Sequence, residues 1–274
     1  MKKTELLEIL ESLKFHPGKI LGQNFLIDQN LLEYIVRASA PGEGEFILEA
    51  GPGFGALTRG LLAAGAEVTC IEFDHRISEY LRNNLKDPGF TLIEDDAARV
   101  DIEALVKGRD FRAIANLPYS ISSIFVAHML ELENPPLSMC FMLQKEMGMR
   151  LAADNTTKNY GSLSVRTQMV YDVKILRTVP RQVFYPQPDV DSAIVQFVRR
   201  DIFPDQATRK GAFGMVKTAF SQKRKKMIKA LSAAYSRESV EAAYAALGYN
   251  EDTRPGQLTP GQFLELFLEM RRGE

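Results

Sequence analysis

Phe46-Ile47-Leu48-Glu49-Ala50-Gly51-Pro52-Gly53-Phe54-Gly55 runs an apolar, strand-like segment into a glycine-rich bend, after which Ala56 onward reads as an apolar helix. Side chains at 51, 53 and 55 would hold a ligand away from the backbone. A helix starting near Ala56 offers unpaired N–H groups and a positive dipole end, so a nucleoside-bearing ligand is expected at this bend. Two other readings stay open on these residues alone. Gly51-x-Gly53-x-x-Ala56 also satisfies the dinucleotide fingerprint, and glycine bends join strands to helices where no ligand binds.

Outward from the bend, apolar strands alternate with helical segments. Strands are expected at Phe46–Ala50, Glu67–Phe73, Phe90–Ile93, Ala113–Ala115 and Met139–Leu143, and helices to about Ala63, over Arg76–Leu85 and over Ile121–Leu132. This order implies a parallel sheet covered on both faces, with ligands at the carboxyl ends of the strands. A further alternating run from Asp189 to Arg200 reads as a final strand. Upstream, Met1–Lys14 fits one face of a short helix, residues 15–26 read as a loop because of Pro17, Gly18 and Gly22, and Asp28 can cap a helix running to about Ala40.

The strand-end rule selects the residues that matter. Glu72 closes the second strand about 20 residues after the bend, where a carboxylate can accept from both hydroxyls of a ribose. Asp95 and Asp96 follow the third strand, where a carboxylate suits an adenine amino group. The fourth ends in Asn116-Leu117-Pro118-Tyr119. Its plain reading is a proline turn. Its chemical reading starts from an exocyclic adenine amine, whose lone pair is delocalised into the ring. The Asn116 side-chain oxygen and the Leu117 carbonyl could hold its N–H groups and turn the lone pair toward an incoming methyl. Pro118 keeps the carbonyl aimed, and Tyr119 offers a stacking face. Rate would then come from positioning rather than from proton removal.

These residues resemble the class I S-adenosylmethionine-dependent methyltransferases and, more closely, the KsgA-type small-subunit ribosomal RNA adenine dimethyltransferases. The resemblance covers almost the whole chain. Gly22-Gln23-Asn24-Phe25-Leu26 is similar to the family's amino-terminal cofactor motif, Glu49-x-Gly51-x-Gly53-x-Gly55 to its glycine loop, Asn116-Leu117-Pro118-Tyr119 to its catalytic motif, and Phe184-x-Pro186-x-Pro188-x-Val190-x-Ser192 to its second aromatic motif. Four motifs in the family's order displace the dinucleotide reading.

The resemblance implies a Rossmann-like α/β domain with a mostly parallel seven-stranded sheet over residues 1–202, and a small all-α RNA-binding domain over 203–274. It implies that S-adenosylmethionine is the methyl donor, leaving as S-adenosylhomocysteine, with no metal. Asn24, Leu26 and Gly51 would hold the methionine part, Glu49 its amino group, Glu72 the ribose and Asp96 the adenine, with Gly53 and Gly55 completing the loop. Asp96 is preferred to Asp95 because the family places alanine after its acid, as Ala97 stands here. Asn116 would serve cofactor and target, and Phe184 would close over the target base opposite Tyr119. The implied reaction is dimethylation of two adjacent adenosines near the 3′ end of 16S rRNA in the small ribosomal subunit. Alternatives within reach are the large-subunit rRNA methylase of macrolide resistance and a ribosome assembly factor that acts chiefly by binding.

Composition sets the outer limits. The chain has 274 residues, 45% hydrophobic and 25% charged, and no apolar run approaches a membrane span. No secretion signal is legible at the amino terminus, Cys70 and Cys140 lie in apolar runs as buried thiols, and His16, His75 and His128 lack metal-ligand spacing. A cytoplasmic monomer away from membranes is expected. The formal net charge is −1, yet residues 206–237 hold nine basic side chains and no acid. A local asymmetry of this kind suggests a face for a polyanion, although a solvated helix face has the same composition. Within it Ala219-Phe220-Ser221-Gln222-Lys223-Arg224-Lys225-Lys226 resembles the family's Ser-Gln-Arg-Arg-Lys segment, with lysine at 223 where arginine is usual, and the resemblance implies that Lys223, Arg224, Lys225 and Lys226 contact RNA.

Overall fold

A computed structural model describes residues 1–18, 22–222 and 225–272. The chain first forms α1 (Lys3–Ser12), β1 (Phe25–Leu26), α2 (Gln29–Ser39), β2 (Phe46–Ala50), α3 (Ala56–Ala63), β3 (Glu67–Glu72), α4 (His75–Asn84) and β4 (Phe90–Glu94). It continues through α5 (Ile102–Val106), β5 (Arg112–Asn116), α6 (Ser122–Glu131), β6 (Ser138–Gln144), α7 (Lys145–Leu151), α8 (Ser162–Gln168), β7 (Tyr171–Val179), β8 (Phe184–Tyr185) and β9 (Ser192–Arg199). Four more helices follow, α9 (Gln206–Phe220), α10 (Met227–Ser232), α11 (Arg237–Leu247) and α12 (Pro260–Arg272).

Seven strands form one sheet in the order β4-β3-β2-β5-β6-β9-β7. Strands β4 through β6 of that order are parallel, and β9 runs antiparallel to β6 with Gln144 opposite Ser192. Every residue of β2 is buried, as befits a parallel strand covered on both faces. The chain leaves β2 toward β3 and β4, then returns to its other side with β5 and β6. That reversal puts a crevice outside the carboxyl ends of β2 and β5. The chain ends these strands at Ala50-Gly51 and at Asn116, so two motifs 65 residues apart become neighbours.

Arg112 fixes the other end of β5. Its guanidinium donates to Ser138 Oγ at 2.7 Å, to Ala40 O and Glu45 Oε2 at 2.9 Å, and to the Ser39 carbonyl. Asp28 caps α2 as expected, accepting from Leu31 N at 2.9 Å.

Two features differ from the sequence reading. Residues 15–26 are not wholly loop: Phe25–Leu26 pairs antiparallel with Phe184–Tyr185, which joins the amino-terminal motif to the second aromatic motif. Two-residue strands carry no periodicity to read. The seventh sheet strand, implied by resemblance only, is β7. Its burial is irregular, with just its first and last residues fully buried, so no clean alternation marks it.

The chain divides into two compact units, one of Met1–Gly148 with Lys174–Arg199, the other of Met149–Val173 with the chain from Arg200 on. A single cut at 202/203 therefore misses the excursion 149–173. Those residues are bound to the stretch leading into α12 by Tyr160 Oη, which donates to Leu258 O at 2.8 Å, and by Asn155 Nδ2, which donates to Gln257 O at 2.8 Å. Within this second unit the rings of Phe220 and Phe263 lie 5.8 Å apart, and α9 approaches α12 so closely that a Cβ on Gly211 would stand 2.2 Å from Phe267 Cζ.

Gly211→Ala is therefore expected to lower stability by about 1–3 kcal/mol through overpacking. Gly214→Ala, whose nearest neighbour is 3.8 Å away, should raise it by roughly 0.5–1 kcal/mol through helix propensity. Opposite shifts of the unfolding midpoint in denaturant would bear this out.

Candidate functional site

One cavity opens at the carboxyl ends of the parallel strands. Gly51, Gly53 and Glu49 of the bend line it, with Glu72 from the end of β3, Asp96 and Ala97 after β4, Asn116 to Tyr119 after β5, and Gln23 to Leu26 from the amino-terminal motif. All of these belong to the first unit.

The glycines are required where they stand. Gly51 has φ +66°, and a Cβ there would lie 2.9 Å from the Pro118 ring. Gly53 has φ +54°, and a Cβ would meet the Phe25 ring at 3.0 Å. A side chain at 22 would press to 3.1 Å of Tyr119 N. The three motifs thus touch through glycines, and any larger residue would push them apart. Gly55, at φ +79°, forms the start of α3.

Asn116 is oriented by the amino-terminal motif. Its Nδ2 donates to the Asn24 carbonyl at 3.2 Å, while Asn24 Nδ2 donates to Gly22 O at 3.2 Å. With its amide nitrogen engaged there, Asn116 keeps its oxygen as an acceptor for the cavity. Pro118 O accepts from Ile121 N at 3.2 Å and Ser122 Oγ at 3.0 Å, which ties the tetrapeptide to the first turn of α6.

Both acidic residues of the inner cavity are buried, Glu49 at 1% and Glu72 at 6% exposure. Desolvation is the main cause that raises each carboxyl to about 7, with mutual repulsion adding to Glu49. Glu49 Oε2 accepts from Thr58 Oγ1 at 2.7 Å and from Cys70 Sγ at 3.5 Å. Glu72 Oε1 accepts from Asp74 N at 2.9 Å. Thr58 and Cys70 carry no motif signal, since they reach Glu49 only through the pairing of β2 with β3 and the return of α3. Asp74 also holds Gln23 Nε2 at 3.2 Å, a link between the end of β3 and the amino-terminal motif.

Of the two aspartates, Asp96 lines the cavity and Asp95 is absent from its wall. Asp95 Oδ1 instead accepts from Asp96 N at 2.7 Å. Leu26 is buried at the cavity wall in β1.

Phe184 stands differently from the expectation that it faces Tyr119. Phe184 is 3% exposed, shares an apolar cluster with Leu26, Leu31 and Ile35, and does not line the cavity. The antiparallel pair Leu26↔Phe184 holds it in the core. The residue of that motif that reaches Tyr119 is Ser192, whose Oγ lies 2.6 Å from the phenol oxygen.

The basic window divides as well. Lys223 and Arg224 lie outside the described residues. Lys225 and Lys226 are exposed, and the Lys226 ammonium pairs with the Asp252 carboxylate. Arg209 is no part of a surface: it is 1% exposed, donates to Pro204 O at 2.8 Å and stands over the Phe203 ring. Arg237 pairs with Glu241 at 2.7 Å.

The family model of ribosomal RNA adenine dimethylase matches residues 14–272. Ribosomal RNA small subunit methyltransferase A of Alkaliphilus oremlandii is 36% identical, over 94% of this chain and 92% of its own. The protein of the same description from Clostridium acetobutylicum is 34% identical over 99% and 100%. Among solved structures, the 23S rRNA methyltransferase ErmE superposes with a TM-score of 0.69 at 27% identity, over 90% of this chain and all of ErmE. A dimethyladenosine transferase from Plasmodium falciparum shares the fold with a TM-score of 0.76 at 23% identity, over 90% and 98%.

The buried carboxyls set a pH dependence. A carboxyl whose pKa is raised by folding stabilises the native state fully below its unfolded value and loses that contribution as pH rises through the folded one. From pH 5 to 8 the ligand-free protein should lose on the order of 1–3 kcal/mol relative to Glu72→Gln, measured by denaturant unfolding at each pH. A pH-independent difference between the two proteins would remove Glu72 from this role.

Proposed function

The chain belongs to the ribosomal RNA adenine dimethylase family, and from that premise we propose that it transfers methyl groups from S-adenosylmethionine to two adjacent adenosines near the 3′ end of 16S rRNA. The curated relatives named above are small-subunit methyltransferases, which favours this target over the large-subunit one. The observation that carries the reading is the meeting of the glycine bend and the Asn116 tetrapeptide in one cavity, with Pro118 against Gly51.

The residues present fit the methyl donor. Glycines with positive φ leave the main chain of the bend open to a close approach, Glu72 is a buried acceptor that would take the ribose hydroxyls, and Asp96 in the cavity wall would take the adenine. Asn24, Leu26 and Glu49 would take the methionine part. The donor supplies an activated methyl on a positively charged sulfur. Two buried carboxyls near neutrality suit that charge, because a cation and hydroxyl donors both favour their ionised forms.

The remaining chemistry belongs to the chain. The target amine is scarcely basic, so no general base is needed. Asn116, with its amide turned by the Asn24 carbonyl, accepts one amine hydrogen, and the Leu117 carbonyl accepts the other. Rehybridisation of the nitrogen toward a tetrahedral geometry exposes the lone pair for in-line attack. The proton released when the new N–C bond forms passes to solvent. Tyr119 provides the face against which a base taken out of its stack can rest. After one transfer the amine retains a single hydrogen, so one acceptor remains engaged during the second.

A specific observation supports an added binding role. Lys225 is exposed in a segment without acids, and a lysine there would contact a phosphate whatever the sequence. This surface would serve subunit assembly and catalysis alike.

Asn116→Ala should lower methyl transfer to unmethylated small subunits by at least about 100-fold while leaving subunit binding intact. Tritium transfer and filter binding read the two separately, and a fully active variant would refute the role given to Asn116. Replacing Lys223, Arg224, Lys225 and Lys226 together by alanine should weaken RNA binding and flatten the slope of log affinity against log salt by up to about three contacts' worth, Lys226 being paired with Asp252. An unchanged slope would return this segment to a solvated face.

A further inference from the structure

Ser192 is fully buried at the start of β9. Its surroundings are rigid: β9 pairs with β6 at Gln144↔Ser192, and Lys145 N donates to the neighbouring Asp191 O at 2.9 Å. From this anchored position its hydroxyl reaches across 73 residues of sequence to the Tyr119 phenol at 2.6 Å. Tyr119 is half-buried and lines the cavity, with its backbone N–H backed by Gly22, where a Cβ would come within 3.1 Å. The tyrosine is therefore held at both ends, by a glycine contact at the main chain and by a serine hydroxyl at the ring tip.

A tyrosine that stacks a base could also use its hydroxyl on that base. Here the hydroxyl is occupied by a partner that is itself part of the sheet. We infer that Ser192 is a positioning residue for methyl transfer, anchoring the Tyr119 phenol so that Tyr119 meets the target base with its ring face and not with its hydroxyl. This rests on the function proposed above. A fixed ring plane matters more to this reaction than to one with an acid or base, because orientation supplies its rate. It also matters twice, since the base must be presented in the same plane for a second methyl after losing one hydrogen-bond donor. Burial raises the Tyr119 phenol above its ordinary pKa, so it stays a neutral hydroxyl throughout the working range.

The inference is tested with Ser192→Ala, Tyr119→Phe and the double variant, assayed at saturating cofactor on small subunits from unmethylated cells. Each single change removes the same hydrogen bond, so each should lower kcat by roughly tenfold, leave the cofactor KM unchanged, and combine in the double variant without further loss. Wild-type kcat in Ser192→Ala, or losses that multiply in the double variant, would overturn it. Should Ser192→Ala fail to fold, Tyr119→Phe alone decides, and its undiminished kcat would count against the inference. A second readout needs no activity: in protein carrying 13C at the tyrosine ring ε positions, with Tyr119 assigned by its absence from the Tyr119→Phe spectrum, Ser192→Ala should broaden the Tyr119 signal. An unaltered signal overturns the anchoring. If the wild-type protein methylates no RNA, the proposed function falls, while the ring signal still decides whether Ser192 holds the tyrosine.

Discussion

The parallel pairing of β2 with β5, Ile47 beside Arg112 and Leu48 beside Ala113, is the constraint from which the site follows. Neighbouring parallel strands present their carboxyl ends side by side, so the bend after Ala50 and the tetrapeptide starting at Asn116 share a crevice. Pro118 then rests against the backbone of Gly51 at a distance that excludes any Cβ. Everything the cavity can do depends on this approach. Arg112 secures it from the opposite end of β5 by tying that strand to β6 and to the turn after α2.

Around that junction the structure favours orientation over acid–base power. Two polar groups of the cavity wall, an amide and a phenol, are each held by a hydrogen bond: Asn116 by a carbonyl, Tyr119 by a serine hydroxyl. Of the carboxyls that line the cavity, Glu49 and Glu72 are the deeply buried ones. Burial disfavours their ionised forms, and the cationic, hydroxyl-bearing methyl donor proposed above would favour them.

The second unit follows a different logic. Its helices close on one another through glycine and aromatic contacts, Gly211 against Phe267 and Phe220 against Phe263, and its buried Arg209 donates within the unit to Pro204 O. Basic residues in one window therefore divide between interior and surface. Counting charge along the chain overstates a polyanion face by whichever cations the fold consumes, here Arg209 outright and Lys226 and Arg237 through their carboxylate partners.

How much was legible in the sequence follows from the range of the interactions involved. The bend at 51–55, the strands from Phe46 to Leu143, the Asp28 cap and the tetrapeptide at Asn116 are local signals of glycine spacing, apolar runs and capping, and they appear where the residues place them. The family's motif order supplied the seven-stranded sheet, whose strand β7 has no clean alternation of its own. What the chain order could not contain is contact between distant segments. The β1–β8 pair buries Phe184 away from the cavity, Ser192 reaches Tyr119, Thr58 and Cys70 hold Glu49, and residues 149–173 join the carboxyl-terminal helices. The sequence by itself determined which chemistry-bearing residues stand at the strand ends, because that depends on periodicity and turn geometry within a few residues. Only the tertiary structure decided which of them face one another and which are turned into the core, because that depends on sheet register and on the burial of apolar surface drawn from the whole chain.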